Sequence, residues 1–173
     1  MPHGRPGVVY FARNSAMGDT ADIPRTGNRV TFQDEYCFVC GKLNPIGLKL
    51  RFAYDRENRR ATAEVTFGPE HQGWDGVVHG GILASVLDDV MAHSILTTDN
   101  LPITTKISVV YRKPVRVGET LHLEGTVEHL KSRTAVARAT AYVVQDPGSD
   151  ARDVRVEAEG TYYLDKPRGA DKG

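Results

Sequence analysis

Between Gly73 and Leu96 the chain reads GWDGVVHGGILASVLDDVMAHSIL. Its apolar residues fall in pairs four apart: Ile82 and Leu83, Val86 and Leu87, Val90 and Met91. That spacing is close to the helical period, and it predicts one long helix with a broad apolar face. On both sides the pattern changes to alternation. Leu48 to Tyr54 alternates apolar with polar or small residues, as a half-buried strand does. Ala61, Ala63, Val65 and Phe67 alternate with Thr62, Glu64 and Thr66, which predicts a hairpin that ends at Gly68-Pro69. Beyond a break at Asn100-Leu101-Pro102, four further strands are predicted. They run from Ile103 to Arg112, with Ile107, Val109 and Tyr111 on one face, then Leu121 to Glu128, Ala135 to Val144, and Val154 to Leu164. Two strands, one long helix and four strands make an α+β chain, an antiparallel sheet around a helix.

Two acids interrupt the apolar helix. Residues three and four apart on a helix are neighbours. Asp88 is therefore flanked by Ala84, Ser85, Met91 and Ala92, mostly small side chains that leave it open to another chain or a ligand. Asp89 has His93 four residues on and reads as the structural acid of the two. A carboxylate near apolar walls has its charged form disfavoured, which suits a base, and Asp88 is the candidate. The helix start offers complementary chemistry. Its first turn leaves backbone N–H groups unpaired at the positive end of the dipole. Glycines let a ligand approach them, so His79-Gly80-Gly81 can form an oxyanion site.

These residues resemble the signature of hotdog-fold acyl-CoA thioesterases of the phenylacetic-acid-pathway (PaaI-like) type. His-Gly-Gly opens the central helix, and an Asp follows nine residues after the His, here His79 and Asp88. The resemblance spans roughly residues 37 to 164 and implies a hotdog fold, a sheet wrapped around the helix. It implies water attacking an acyl-CoA thioester, with Asp88 as base or nucleophile and the N–H groups of Gly80 and Gly81 as oxyanion donors. His79 either orients the loop or contacts the thioester, or serves in capping and loop packing. Thr104 enters by resemblance as the residue that helps position the water. Some relatives carry an Asn six residues before the His. Here that position is Gly73, and the neighbouring Gln72 is the amide available for its work. Arg112, Lys113, Lys131 and Arg133 are the candidates for the CoA phosphates, the last two flanking a turn where family members often hold them. CoA is part of the substrate, and no separate cofactor is implied. The resemblance also implies a homo-oligomer, a dimer or a dimer of dimers, with the oxyanion loop of one chain facing the acid of the other. The alternative on the same fold is a non-catalytic module that binds acyl-CoA for regulation.

Composition narrows the classes. The 173 residues suit one core. Lys and Arg equal Asp and Glu at 22 each, so no net field favours nucleic acid or an anionic membrane. No apolar run approaches the ~20 residues of a membrane span, and the N-terminus lacks the apolar core of a signal peptide. A soluble cytoplasmic protein is the expectation. Residues 1–33, broken by Pro2, Pro6, Gly18, Pro24 and Gly27, are expected to be a poorly ordered or loosely docked arm. Residues 34–166 are the expected hotdog domain and 167–173 a loose tail. Cys37-Phe38-Val39-Cys40 invites zinc or redox readings. A structural zinc takes four ligands and the chain has no second pair, so two thiols packing a turn is the preferred reading and no metal is expected. Two chains pooling their cysteines is the lesser alternative.

Overall fold

The structure is a computed structural model that describes residues 35–144 and 151–165. The expected arm (1–33), the loop at 145–150 and the tail (167–173) lie outside the described residues.

The chain begins with the cysteine loop and then forms β1 (Ala53–Asp55) and β2 (Arg60–Thr66). A short hairpin of β3 (Gln72–Trp74) and β4 (Val77–Val78) leads into α1 (Gly80–Leu96). Four long strands follow: β5 (Leu101–Tyr111), β6 (Thr120–Leu130), β7 (Thr134–Val144) and β8 (Arg152–Asp165). Six strands make one antiparallel sheet in the order β1-β2-β6-β7-β8-β5. The helix packs on one face of it, mainly against β2, β5, β6, β7 and β8, the hotdog arrangement.

The paired apolar positions of α1 are the buried ones: Leu83, Val86, Leu87, Val90, Met91 and Ile95. Facing them, the sheet presents small residues. Ala135, Ala137, Ala139 and Ala141 alternate inward on β7, with Ala158 on β8. Gly125 of β6 lies directly beneath the helix backbone. A Cβ there would stand 2.5 Å from the Val90 carbonyl oxygen. Close approach requires glycine at this point, and the alanines flank it with enough room for the helix.

Three expectations change in detail. Leu48 to Phe52 buries Leu48, Leu50 and Phe52, yet only Ala53–Asp55 joins the sheet. The amides of Leu48 and Leu50 donate instead to Phe38 and Val39 in the cysteine loop, at 2.7 and 2.8 Å. Lys49, at φ 57°, interrupts the strand between them. The glycine-rich Gly73–Gly76 stretch is a small hairpin rather than a bare turn, closing through Gly76 at φ 68°. The expected break at Asn100–Pro102 lies one residue earlier. Asp99 turns the chain at φ 60°, and β5 already includes Pro102, a residue an edge strand tolerates.

Gly125 gives a direct test of this packing. Gly125→Val should destabilise the fold by about 1–3 kcal/mol, the usual cost of overpacking, read as a lower urea midpoint with an unchanged m-value. An unchanged midpoint would show that the helix does not rest on β6 at this point.

Candidate active site

The helix begins where the sequence predicts. His79 is its N-cap, and its Nδ1 accepts the Gly81 N–H at 2.9 Å. Of the two readings left open for His79, the observed contact is capping. The His79 carbonyl takes the Ile82 and Leu83 amides at 3.0 and 3.2 Å. The Gly81 N–H, expected as an oxyanion donor, is thus engaged by the cap. The Gly80 N–H has no acceptor among the described residues. Gly73, the position of the Asn of some relatives, has its α-carbon against the His79 ring. A Cβ there would lie 3.0 Å from the ring, so a larger side chain would displace the cap. Gln72 points elsewhere: its Oε1 accepts the Gly76 N–H at 3.1 Å and closes the β3–β4 hairpin. The Tyr111 hydroxyl, at the far end of β5, donates to the Gly80 carbonyl at 2.8 Å and ties the edge strand to the helix start.

Asp88 sits two turns along the helix. Its carboxylate takes the Thr104 hydroxyl at 3.0 and 3.2 Å and the Tyr162 hydroxyl at 2.9 Å. The small helical neighbours of Asp88 leave room that its own β5 and β8 partly fill with two hydroxyl donors. Thr104 and Tyr162 are register partners across those strands, so the sheet delivers both hydroxyls to one side. A β-bulge follows Thr104, a feature that commonly re-aims a side chain beside a functional site. Tyr162 is fully buried, and burial, then the Asp88 charge, push its hydroxyl's pKa well up, so it remains a donor. Gly160, two residues earlier on the same face, leaves the space that the Tyr162 ring fills. A Cβ there would meet the ring at 2.6 Å. Tyr162 is the site residue that sequence reasoning missed. The available signal was the inward alternation Val156, Ala158, Gly160, Tyr162, Leu164, with one hydroxyl in the series.

The helix start and Asp88 are far apart within one chain. Eight residues at ~1.5 Å each separate Gly80 from Asp88 by about 12 Å. The candidate cations also divide. Arg112 pairs with Glu157 at 2.7 Å and Lys113 with Asp153 at 2.6 Å, near the helix start. Lys131 and Arg133 lie on the β6–β7 turn beside Leu164, at the opposite end of the sheet, exposed and without an ion pair among the described residues. The sheet therefore brings together Asp88, Thr104 and Tyr162. It does not gather the four cations or carry Gln72 to the acid.

Asp89 faces away from this group. Its Oδ2 lies 3.6 Å from His93 Nε2, as expected, and its Oδ1 accepts from the Cys37 thiol at 3.8 Å. Burial lowers the His93 pKa to about 4. Its neutral ring stacks on Phe52 at 3.9 Å, and Nδ1 meets the Tyr54 hydroxyl at 2.7 Å. A hydrogen bond to Cys37, burial and the Asp89 charge keep the Cys40 thiol protonated.

Several known proteins are similar to this chain. Residues 75–148 match the family model described as the thioesterase superfamily. The acyl-coenzyme A thioesterase THEM4 of Mus musculus is 23% identical, over 59% of this chain and 50% of that one, so this chain spans about half of that relative. Among solved structures, the E. coli PaaI protein from the phenylacetic acid degradation operon superposes with a TM-score of 0.61 at 17% identity, covering 68% of this chain and 80% of that one. A hypothetical thioesterase of Streptococcus pneumoniae TIGR4, solved with coenzyme A, gives 0.61 at 16% identity, covering 69% and 88%. That pneumococcal protein has also been solved with one Asp and one Thr each replaced by Ala, at positions 16 apart, the separation of Asp88 and Thr104.

The hydrogen-bonded acid yields a prediction that does not depend on activity. Tyr162→Phe removes a donor to a carboxylate and should cost about 1.5–3 kcal/mol in urea unfolding. A loss under roughly 0.5 kcal/mol, within the range of a neutral substitution, would mean the hydroxyl is not held by Asp88.

Proposed function

We propose that this chain, which carries a thioesterase-superfamily domain at residues 75–148, hydrolyses an acyl-CoA thioester to a free acid and CoA. The observation that carries the reading is the Asp88 carboxylate fixed by Thr104 and Tyr162, on the helix whose start presents the Gly80 N–H. An aspartate oriented by two hydroxyl donors retains acceptor capacity on Oδ2 for a water proton. Water, losing that proton to Asp88, attacks the thioester carbonyl carbon, and the carbonyl oxygen gains the charge. The Gly80 N–H at the helix N-terminus stabilises that oxyanion. Collapse of the tetrahedral intermediate breaks the C–S bond. The CoA sulfur leaves with the electron pair and takes up a proton, and the carboxylic acid remains. Thr104 holds the acid and faces the water, while His79 sets the loop. The Asp–Thr separation shared with the pneumococcal thioesterase supports these assignments.

The site is built from two chains. One carbonyl cannot meet both the Gly80 N–H and an acid about 12 Å away along the same helix. A two-fold copy with its helix running the other way brings one chain's helix start to its partner's Asp88. The sheet offers the surface for such pairing. β5 is an 11-residue edge strand that exposes Ile103, Val110 and Tyr111, whereas the opposite edge, β1, has three residues. Long exposed apolar edges are usually covered. For the coenzyme, Lys131 and Arg133 are the better phosphate contacts, since Arg112 and Lys113 are engaged by acids. Among the described residues no helix is long and apolar enough to cross a membrane.

The test is thiol release from a panel of acyl-CoAs. Asp88→Asn should lower turnover by roughly 10²–10⁴, the scale of one general base, with the fold intact. Asp89→Asn, on the other face, should cost far less. Equal losses at both positions would remove Asp88 from its assigned role, and no thiol release from any acyl-CoA would leave the binding module as the correct reading.

A further inference from the structure

We propose that Cys37, Cys40 and Asp89 bind one soft divalent cation of the zinc type, tying the cysteine loop to the central helix behind the catalytic face. The two thiol sulfurs and a carboxylate oxygen lie within 4.8 Å of one another. A tetrahedral zinc, at ~2.3 Å from sulfur and ~2.0 Å from oxygen, spaces its ligand atoms about 3.5–3.8 Å apart. The Cys37 sulfur already stands 3.8 Å from Asp89 Oδ1. Small side-chain rotations bring the three into register.

The loop is built around the first sulfur. The backbone amides of Val39 and Cys40 both point at Cys37 Sγ, at 3.3 and 3.5 Å. Amides aimed at a sulfur are outer contacts of the kind that orient a metal ligand. Gly41 completes the turn. Its amide donates to the Cys37 carbonyl at 3.0 Å, and a Cβ at Gly41 would lie 2.5 Å from the Cys37 nitrogen. A loop that wraps so tightly admits only glycine there.

The third ligand has the support that metal-bound carboxylates usually have. His93 Nε2 backs Asp89 at 3.6 Å, the Tyr54 hydroxyl backs His93 at 2.7 Å, and Phe52 stacks on the ring. Such outer contacts orient a ligand and tune its affinity. A divalent cation bound there would balance the charge of the two thiolates and the carboxylate. Binding displaces two thiol protons to solvent and leaves one coordination position for water. Sulfur ligands select zinc-like ions over magnesium or calcium.

The site needs only one chain. It joins Cys37 and Cys40 to Asp89, on the helix face turned away from the Asp88 partners, so its contribution is to stability.

The full chain, expressed with zinc and purified under reducing conditions, should contain about one zinc per chain by elemental mass spectrometry. Cobalt reconstitution of the unaltered chain should give a thiolate-to-cobalt charge-transfer band. The band should vanish in C37S/C40S. Asp89→Asn should weaken binding by at least ~10-fold in competition with a chromophoric chelator. Chelation should lower the Tm of the parent and leave that of C37S/C40S unchanged. Because the cobalt spectrum is read on the parent, a poorly folding variant does not hide the answer. Less than roughly a tenth of a metal per chain after reconstitution, a cobalt spectrum without the sulfur band, or a Cys37–Cys40 disulfide as the stable form would overturn the proposal.

Discussion

The rest of the structure depends on how closely the central helix lies on its sheet. At Gly125 the helix backbone at Val90 comes so near that no side chain fits between them. The alanines of β7 and Ala158 of β8 extend that shallow bed, and the paired apolar residues of α1 fill it. This contact fixes the height and rotation of the helix. With the rotation fixed, consecutive acids are committed to opposite tasks. Asp88 turns toward β5 and β8, and Asp89 toward the cysteine loop.

The candidate site then follows from strand register. Thr104 and Tyr162 pair across β5 and β8, and both hydroxyls reach the same carboxylate. A slip of one residue in either strand would turn its hydroxyl away, since alternate residues of a strand face opposite sides. Gly160 matters for the same reason, as it leaves room for the buried ring. The helix cannot bring its own start to its own acid, because both lie on one rigid rod. The proposed reaction therefore draws the helix start from one copy and the acid from another.

Much of this was legible in the sequence. Helical pairing of apolar residues located α1 nearly to the residue, and alternation located the long strands. His79-Gly80-Gly81 marked the cap, and the small neighbours of Asp88 separated it from Asp89. What local pattern does not carry is contact between distant segments. Tyr162 lies 74 residues from Asp88 and is chosen by sheet register, which periodicity does not specify. The grouping of Cys37 and Cys40 with Asp89 likewise forms only when the loop docks on the helix. Leu48 to Phe52 reads as strand because its side chains alternate inward, but its backbone hydrogen bonds go to the cysteine loop. Resemblance supplied Thr104, which as an isolated strand threonine carries no signal. It also suggested Gln72, whose amide the hairpin uses instead.

The claim that one chain's helix start serves its partner's acid is tested most directly by complementation. A chain carrying Gly81→Val, whose added bulk crowds the His79 cap, is mixed with a chain carrying Asp88→Asn. Differently tagged chains allow the heterodimer to be isolated. Each homodimer should be inactive, because every site lacks one half. The heterodimer should recover one intact site and about half of the parent rate per dimer. A confirmed heterodimer as inactive as its parents, or a fully active monomer in light scattering, would contradict the account.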